Sequence, residues 1–89
     1  MTEQREKTKT IDLEFPIQLA DRLLEQVIMT RPTMGQLKKN RPKGQEDLES
    51  EMRLFCSLTR LKMEEIEMLD YDDYTRLQDA YTSFRRSTE

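Results

Sequence analysis

Ile11-Asp12-Leu13-Glu14-Phe15-Pro16-Ile17-Gln18-Leu19 sets a large apolar residue at every second position, so that Ile11, Leu13, Phe15, Ile17 and Leu19 share one face of an extended strand. Pro16 has no N–H to donate and requires an edge position or an end to the regular ladder. After Ala20-Asp21-Arg22, where Asp21 tolerates a turn, Leu23 to Arg31 contains Val27, Ile28, Met29 and Thr30, and Pro32 closes the run. This predicts a hairpin over residues 8–31. A helical period fits part of the same stretch, because Ile17, Ala20, Leu23, Leu24, Val27 and Ile28 also share a helical face with Pro16 in its first turn. Periodicity alone does not separate hairpin from helix over residues 16–29.

The whole chain has 89 residues, room for one small domain. Leu, Ile, Val and Phe supply 19 of the 89, close to the roughly 20% below which chains tend to stay unfolded, but a net charge of −3 is too small to hold the chain open. The core is therefore thin. A domain of this size buries only about 60–65% of its unfolded surface, so oligomerisation or a bound partner adds to its stability.

Missing residues exclude several kinds of chemistry. Without histidine there is no imidazole base, no His-ligated zinc and no His-containing triad. The one cysteine, Cys56, forms neither an internal disulfide nor a CxxC site, so nothing points to an oxidising compartment and the chain reads as cytoplasmic. Met1 to Lys7 lacks the apolar centre of a signal peptide, and no apolar run approaches the roughly 18 residues of a membrane span.

Charge marks the internal boundary. Residues 31–44 carry Arg31, Lys38, Lys39, Arg41 and Lys43 with no acid, whereas residues 45–73 carry a net −7. The basic stretch also holds Pro32, Pro42, Gly35 and Gly44, which predicts a connector over 32–45. Flexible ends are expected at 1–7 and 87–89, leaving one domain over 8–86.

Helices are expected over 46–86. Glu46 to about Leu61 is free of Gly and Pro, and Leu48, Met52, Phe55, Cys56 and Thr59 lie on one face, widened by Leu54, Leu58 and Leu61. So broad a face implies a central helix or apolar surface kept for a partner. Met63 to Leu69 reads as a short helix packed through Met63, Ile66 and Leu69. Asp70 is placed to cap a last helix, with Asp72 and Asp73 at its positive end, Tyr74, Leu77, Tyr81 and Phe84 on its apolar face, and Arg85 and Arg86 in its last turn. The fold class is α+β, an N-terminal β-hairpin followed by a small bundle of three to four helices.

The acidic residues and the cysteine lack the spacing that catalysis or metal binding needs. Counted from Asp70, a calcium loop needs glycine at its sixth position and a bidentate acid at its twelfth, where this chain has Thr75 and Tyr81. Glu64, Glu65 and Glu67 have no cleft around them and read as a solvated helix face, and Cys56 has no basic neighbour to make a nucleophile of it. No catalytic, metal or cofactor site is expected. The basic stretch suits phosphate contact by charge but lacks an aromatic for base stacking, and contact with the acidic segment of another copy suits it better.

The run Ile11 to Ile17, with its Leu13-Glu14-Phe15-Pro16-Ile17, followed by Val27-Ile28-Met29-Thr30-Arg31-Pro32-Thr33-Met34-Gly35-Gln36-Leu37, resembles the opening of the tail assembly chaperone family of Mu-like and related contractile-tailed phages. Leu58-Thr59-Arg60-Leu61, Ile66 to Asp70 and Asp73-Tyr74 through Leu77 to Phe84 are similar to that family's ending, so the resemblance spans roughly residues 8–86. Lys38 to Gly44 departs from it in being unusually basic. The resemblance favours the hairpin over the helix. It implies a non-catalytic protein that coats the tape measure protein in the host cytoplasm, keeps it soluble, and is absent from the mature virion.

Residue chemistry agrees with that role. A long helical chain with apolar faces aggregates unless covered, and six methionines supply adaptable apolar contacts. Met52, Phe55, Leu58, Met63, Tyr74 and Tyr81 are the expected partner contacts, and Lys38, Lys39, Arg41 and Lys43 the expected contacts between copies. The rival readings are a small nucleic-acid-binding regulator using the basic stretch and a one-to-one helical adaptor resembling an antitoxin. No contact with nucleic acid or membrane is expected under the preferred reading.

Overall fold

The alternation that opens the chain is realised as a strand. A computed structural model describes residues 7–40 and 47–86, in which β1 (Thr8–Gln18) pairs antiparallel with β2 (Leu23–Thr30). Thr10 stands opposite Ile28, Asp12 opposite Gln26 and Ile17 opposite Leu24. Residues 16–29 therefore form the hairpin and not the helix. The turn contains no glycine; Leu19 N–H donates to the Arg22 carbonyl at 2.8 Å, and the Gln18 amide donates to the carbonyls of Leu19 and Arg22.

The ladder is interrupted where Pro16 requires it. Between the Asp12–Gln26 and Ile17–Leu24 pairs, residues Leu13 to Pro16 stand opposite Glu25 alone, a bulge that leaves their backbone without the usual cross-strand partners. Ile11, Leu13, Ile17 and Leu19 are buried as the alternation predicts, whereas Phe15, in the bulge, is half exposed.

Four helices follow among the described residues: α1 (Met34–Asn40), α2 (Leu48–Thr59), α3 (Met63–Ile66) and α4 (Tyr71–Arg86). The α+β architecture of a hairpin followed by a small helical bundle is thus present. Helix α2 lies against β2 and α4 against β1, while α1 and α3 both pack on α2. Leu54, Phe55 and Leu58 from α2, Ile66 from α3 and Leu77 and Phe84 from α4 close over Leu24, Val27 and Met29 of the hairpin. Burial of this kind contributes about 1.5–3 kcal/mol for each large side chain.

Helix α1 lies inside the stretch expected to be a basic connector over 32–45. Thr33 and Gln36 form a reciprocal cap: Gln36 N–H donates to Thr33 Oγ1 at 3.3 Å, and Thr33 N–H donates to Gln36 Oε1 at 3.0 Å. Leu37 then packs on the core, and Gly35 is accommodated within the helix. The remainder of that connector, with Arg41 and Lys43, lies outside the described residues, as do residues 1–6 and 87–89 of the expected flexible ends.

Both long helices begin on an acid. Asp47 accepts from Ser50 N–H at the start of α2, and Asp70 accepts from Asp72 N–H at 2.9 Å at the start of α4. Helix α2 ends with Arg60 in the left-handed region, φ 65°, its N–H returning to the Cys56 carbonyl at 2.8 Å. The Thr59 hydroxyl donates to Phe55 O and accepts from Leu61 N–H, which turns the chain into α3.

Candidate partner-binding surfaces

The aromatic residues of the helical half meet at the seam between α2 and α4. Phe55 is fully buried, and the rings of Tyr74 and Tyr81 lie at 5.5 and 5.7 Å from it in tilted geometry. The Tyr74 hydroxyl donates to Glu51 Oε1 at 2.7 Å, and Gln78 Nε2 donates to the same oxygen at 2.9 Å. Burial, then this hydrogen bond and the charge of Glu51, push the Tyr74 phenol far above its usual range, so it keeps the proton that it donates to Glu51.

The six residues expected to touch a partner therefore sit on or inside the domain's own core. Phe55 and Leu58 are completely enclosed in this conformation, and the same helical period that marks a lending face marks a core face. Met52, Met63, Tyr74 and Tyr81 are half buried around them. Cys56 is also half buried, its thiol pushed up by burial and by Glu65 and Glu67, which makes it a packing group rather than a nucleophile.

Uncommitted apolar surface lies elsewhere. Leu48 opens α2, Met68 and Tyr71 form the corner between α3 and α4, Met34 opens α1, and Phe15, Leu23 and Ile28 project from the hairpin. Tyr71 is 78% exposed and Met34 76%, values that leave nearly the whole side chain in water. In Val27-Ile28-Met29 the outer two residues face the core, and alternation turns the middle one away from it.

The charged candidates divide in the same way. Lys38 and Lys39 are exposed on the last turn of α1 and form no ion pair among the described residues. Glu64 in α3, Glu67 just after it and Asp79 on α4 are also exposed and without an ion pair among the described residues. Among the described residues no cluster of acids and cysteine could hold a metal, and no helix is long and apolar enough to cross a membrane.

Residues 10–86 match the family described as phage tail assembly chaperone proteins, E, or 41 or 14. The chain belongs to this phage tail assembly chaperone family. The match takes in the hairpin from residue 10 on, α1 and the three helices after it. Tail assembly chaperones serve assembly without catalysis and imply a protein partner in the growing tail. No curated protein and no solved structure matches the chain.

Proposed function

We propose that this chain binds the tape measure protein and keeps it soluble while the tail is built, acting in the host cytoplasm and leaving before the particle is complete. Membership of the tail assembly chaperone family across residues 10–86 is the observation that supports it most. The physical need is specific: a long helical chain with apolar faces aggregates until the tail tube surrounds it, and reversible cover requires small proteins that keep apolar side chains in water. Leu48, Met68 and Tyr71 are such side chains in the helical half, with half-buried Met52 and Met63 available beside them as adaptable thioethers.

Several copies act on one tape measure, in this reading, and contacts from Lys38 and Lys39 to Glu64, Glu67 and Asp79 of a neighbouring copy hold them together, with Arg41 and Lys43 adding to the same charge. The test is sedimentation of the purified chain with segments of the tape measure protein. Several copies should travel with each segment, and Met68→Ser with Tyr71→Ser should weaken binding at least tenfold without changing the fold. A fixed one-to-one complex would favour the adaptor reading, and salt-dependent DNA binding lost with Lys38→Ala and Lys39→Ala would favour the regulator.

A further inference from the structure

The corner between α3 and α4 has a charge character of its own. From Glu64 to Asp73 the chain sets six acids among ten residues and no base. Two of the six are committed within the fold: Glu65 accepts the Lys62 N–H at 2.9 Å and lies 3.9 Å from Arg22, and Asp73 is buried against the bulge of β1. Asp70 accepts the Asp72 N–H through one oxygen. Glu64, Glu67 and Asp72 are exposed and form no ion pair among the described residues. Arg76, the first base after them, is turned to Glu14 and to the Asp12 carbonyl. The Cys56 thiol on α2 responds to the same field, raised first by burial and then by Glu65 and Glu67.

Apolar side chains stand inside this acidic stretch. Ile66 is buried and Leu69 half buried, whereas Met68 and Tyr71 are exposed. Leu48 lies at the same end of the helical layer. Thr30 donates to the Leu58 carbonyl and the Arg31 guanidinium is 5.8 Å from the centre of the Phe84 ring, so the last turns of α2 and α4 both stand at the open end of the hairpin. Their first turns, with Leu48 and Tyr71, therefore share the other end. The 2.7 Å bond from Tyr74 to Glu51, each one turn further along its helix, ties those turns together.

A chain that covers Met68 and Tyr71 also covers carboxylates, because Glu67 and Asp72 are their immediate neighbours. Taking those charges out of water is unfavourable unless the incoming chain supplies donors. An acidic segment adds repulsion, and a wholly apolar one leaves the carboxylates unpaired. Lysine or arginine answers both, and its cation also suits the exposed ring of Tyr71. We propose that the α3–α4 corner selects basic amphipathic segments of the tape measure protein, with Met68 and Tyr71 against the apolar face of the segment and Glu67 and Asp72 paired with the lysines or arginines along its border. The identity of the client rests on the proposed function; the charge by which a stretch of it is chosen does not. Pairs at an exposed rim are individually weak and yield to salt, which keeps the cover reversible.

Fluorescence anisotropy with two labelled helical peptides tests it, one carrying lysines and the other glutamates around the same apolar face. The full chain should bind the lysine peptide about tenfold more tightly at low salt, as a few rim pairs allow, and the gap should close near about 1 M salt. Asp72→Lys should remove most of that preference, and Tyr71→Ser should weaken both peptides, with circular dichroism showing that each variant keeps its helices. Glu25→Lys makes the same change in net charge on exposed β2 surface and should leave the preference within about twofold. Equal binding of the two peptides, failure to bind either, or a Glu25→Lys effect as large as that of Asp72→Lys would overturn the proposal. So would a halved mass of the chain alone on Tyr71→Ser, which would give the corner to a second copy. A tape measure protein kept soluble by a chain that binds both peptides alike would remove the charge preference and leave the proposed function standing. A tape measure protein indifferent to a chain that prefers the lysine peptide would do the reverse.

Discussion

Asp73 and Phe15 are 58 positions apart in the chain and 3.0 Å apart in the fold, where the Phe15 N–H donates to Asp73 Oδ2 while the Glu14 N–H donates to Oδ1 at 2.9 Å. The carboxylate is fully buried, yet both its oxygens are satisfied, and the Arg76 guanidinium lies 3.6 Å from Oδ1. This contact explains how a bulge can exist in the middle of β1. The amides that lose their cross-strand partners there are received by α4, and the helix is fixed against the strand in return.

Replacing Asp73 with alanine should accordingly cost about 3 kcal/mol or more, because two backbone donors lose their acceptor and Arg76 loses a partner. In a domain of this size that lowers the melting temperature by more than about 10 °C. Thermal unfolding followed by circular dichroism checks it; a loss of only a degree or two would mean that β1 holds its bulge without α4.

Arg60 makes the opposite prediction. It holds φ at 65° to end α2, a conformation that costs a residue with a Cβ more than it costs glycine. Arg60→Gly should stabilise the domain by about 0.5–1 kcal/mol, visible as a rise of a few degrees in melting temperature. A fall would show that the Arg60 side chain contributes more than its backbone costs.

Tyr74 sets the response to alkali. Its phenol is raised in the folded chain by burial and by Glu51, whereas in the unfolded chain it titrates near about 10. The folded state therefore holds the proton more tightly: the contribution is intact below about pH 10 and is lost progressively as pH rises beyond it. Tyr74→Phe should cost about 1 kcal/mol near neutrality through the lost bond to Glu51, and the gap to the unaltered chain should narrow above about pH 10. Urea unfolding of both chains at neutral and alkaline pH measures this; a gap that widens with pH would reverse the sign of the argument.

Cys56 should react slowly. Burial, then Glu65 and Glu67, keep its thiol protonated, so alkylation by iodoacetamide at neutral pH is expected to lag behind that of a small free thiol. Glu67→Gln removes one of the two charges and should quicken the reaction modestly. Equal rates for the two chains would show that burial alone governs the thiol.

How much of this was legible follows from the range over which each signal acts. The period-two run announced β1 and its buried Ile11, Leu13, Ile17 and Leu19, because alternation is local. The exposure of Phe15 was not legible, since it depends on a bulge held open by a residue in the last helix. The lysines, Pro32 and Gly35 point to a connector where α1 forms, whereas Thr33 and Gln36 stand at the capping-box spacing that starts the helix. The intended partner face was the hardest to read: Phe55 and Leu58 have the spacing of an apolar helical face, and nothing local says whether that face meets this chain or another.

The central claim, that this tail assembly chaperone keeps the tape measure protein in solution, is tested most directly by expressing that protein with and without this chain and measuring the fraction left in the supernatant after centrifugation. The account predicts that most of it stays soluble when the chain is present and sediments when the chain is omitted. A tape measure protein equally soluble in both cases would contradict it.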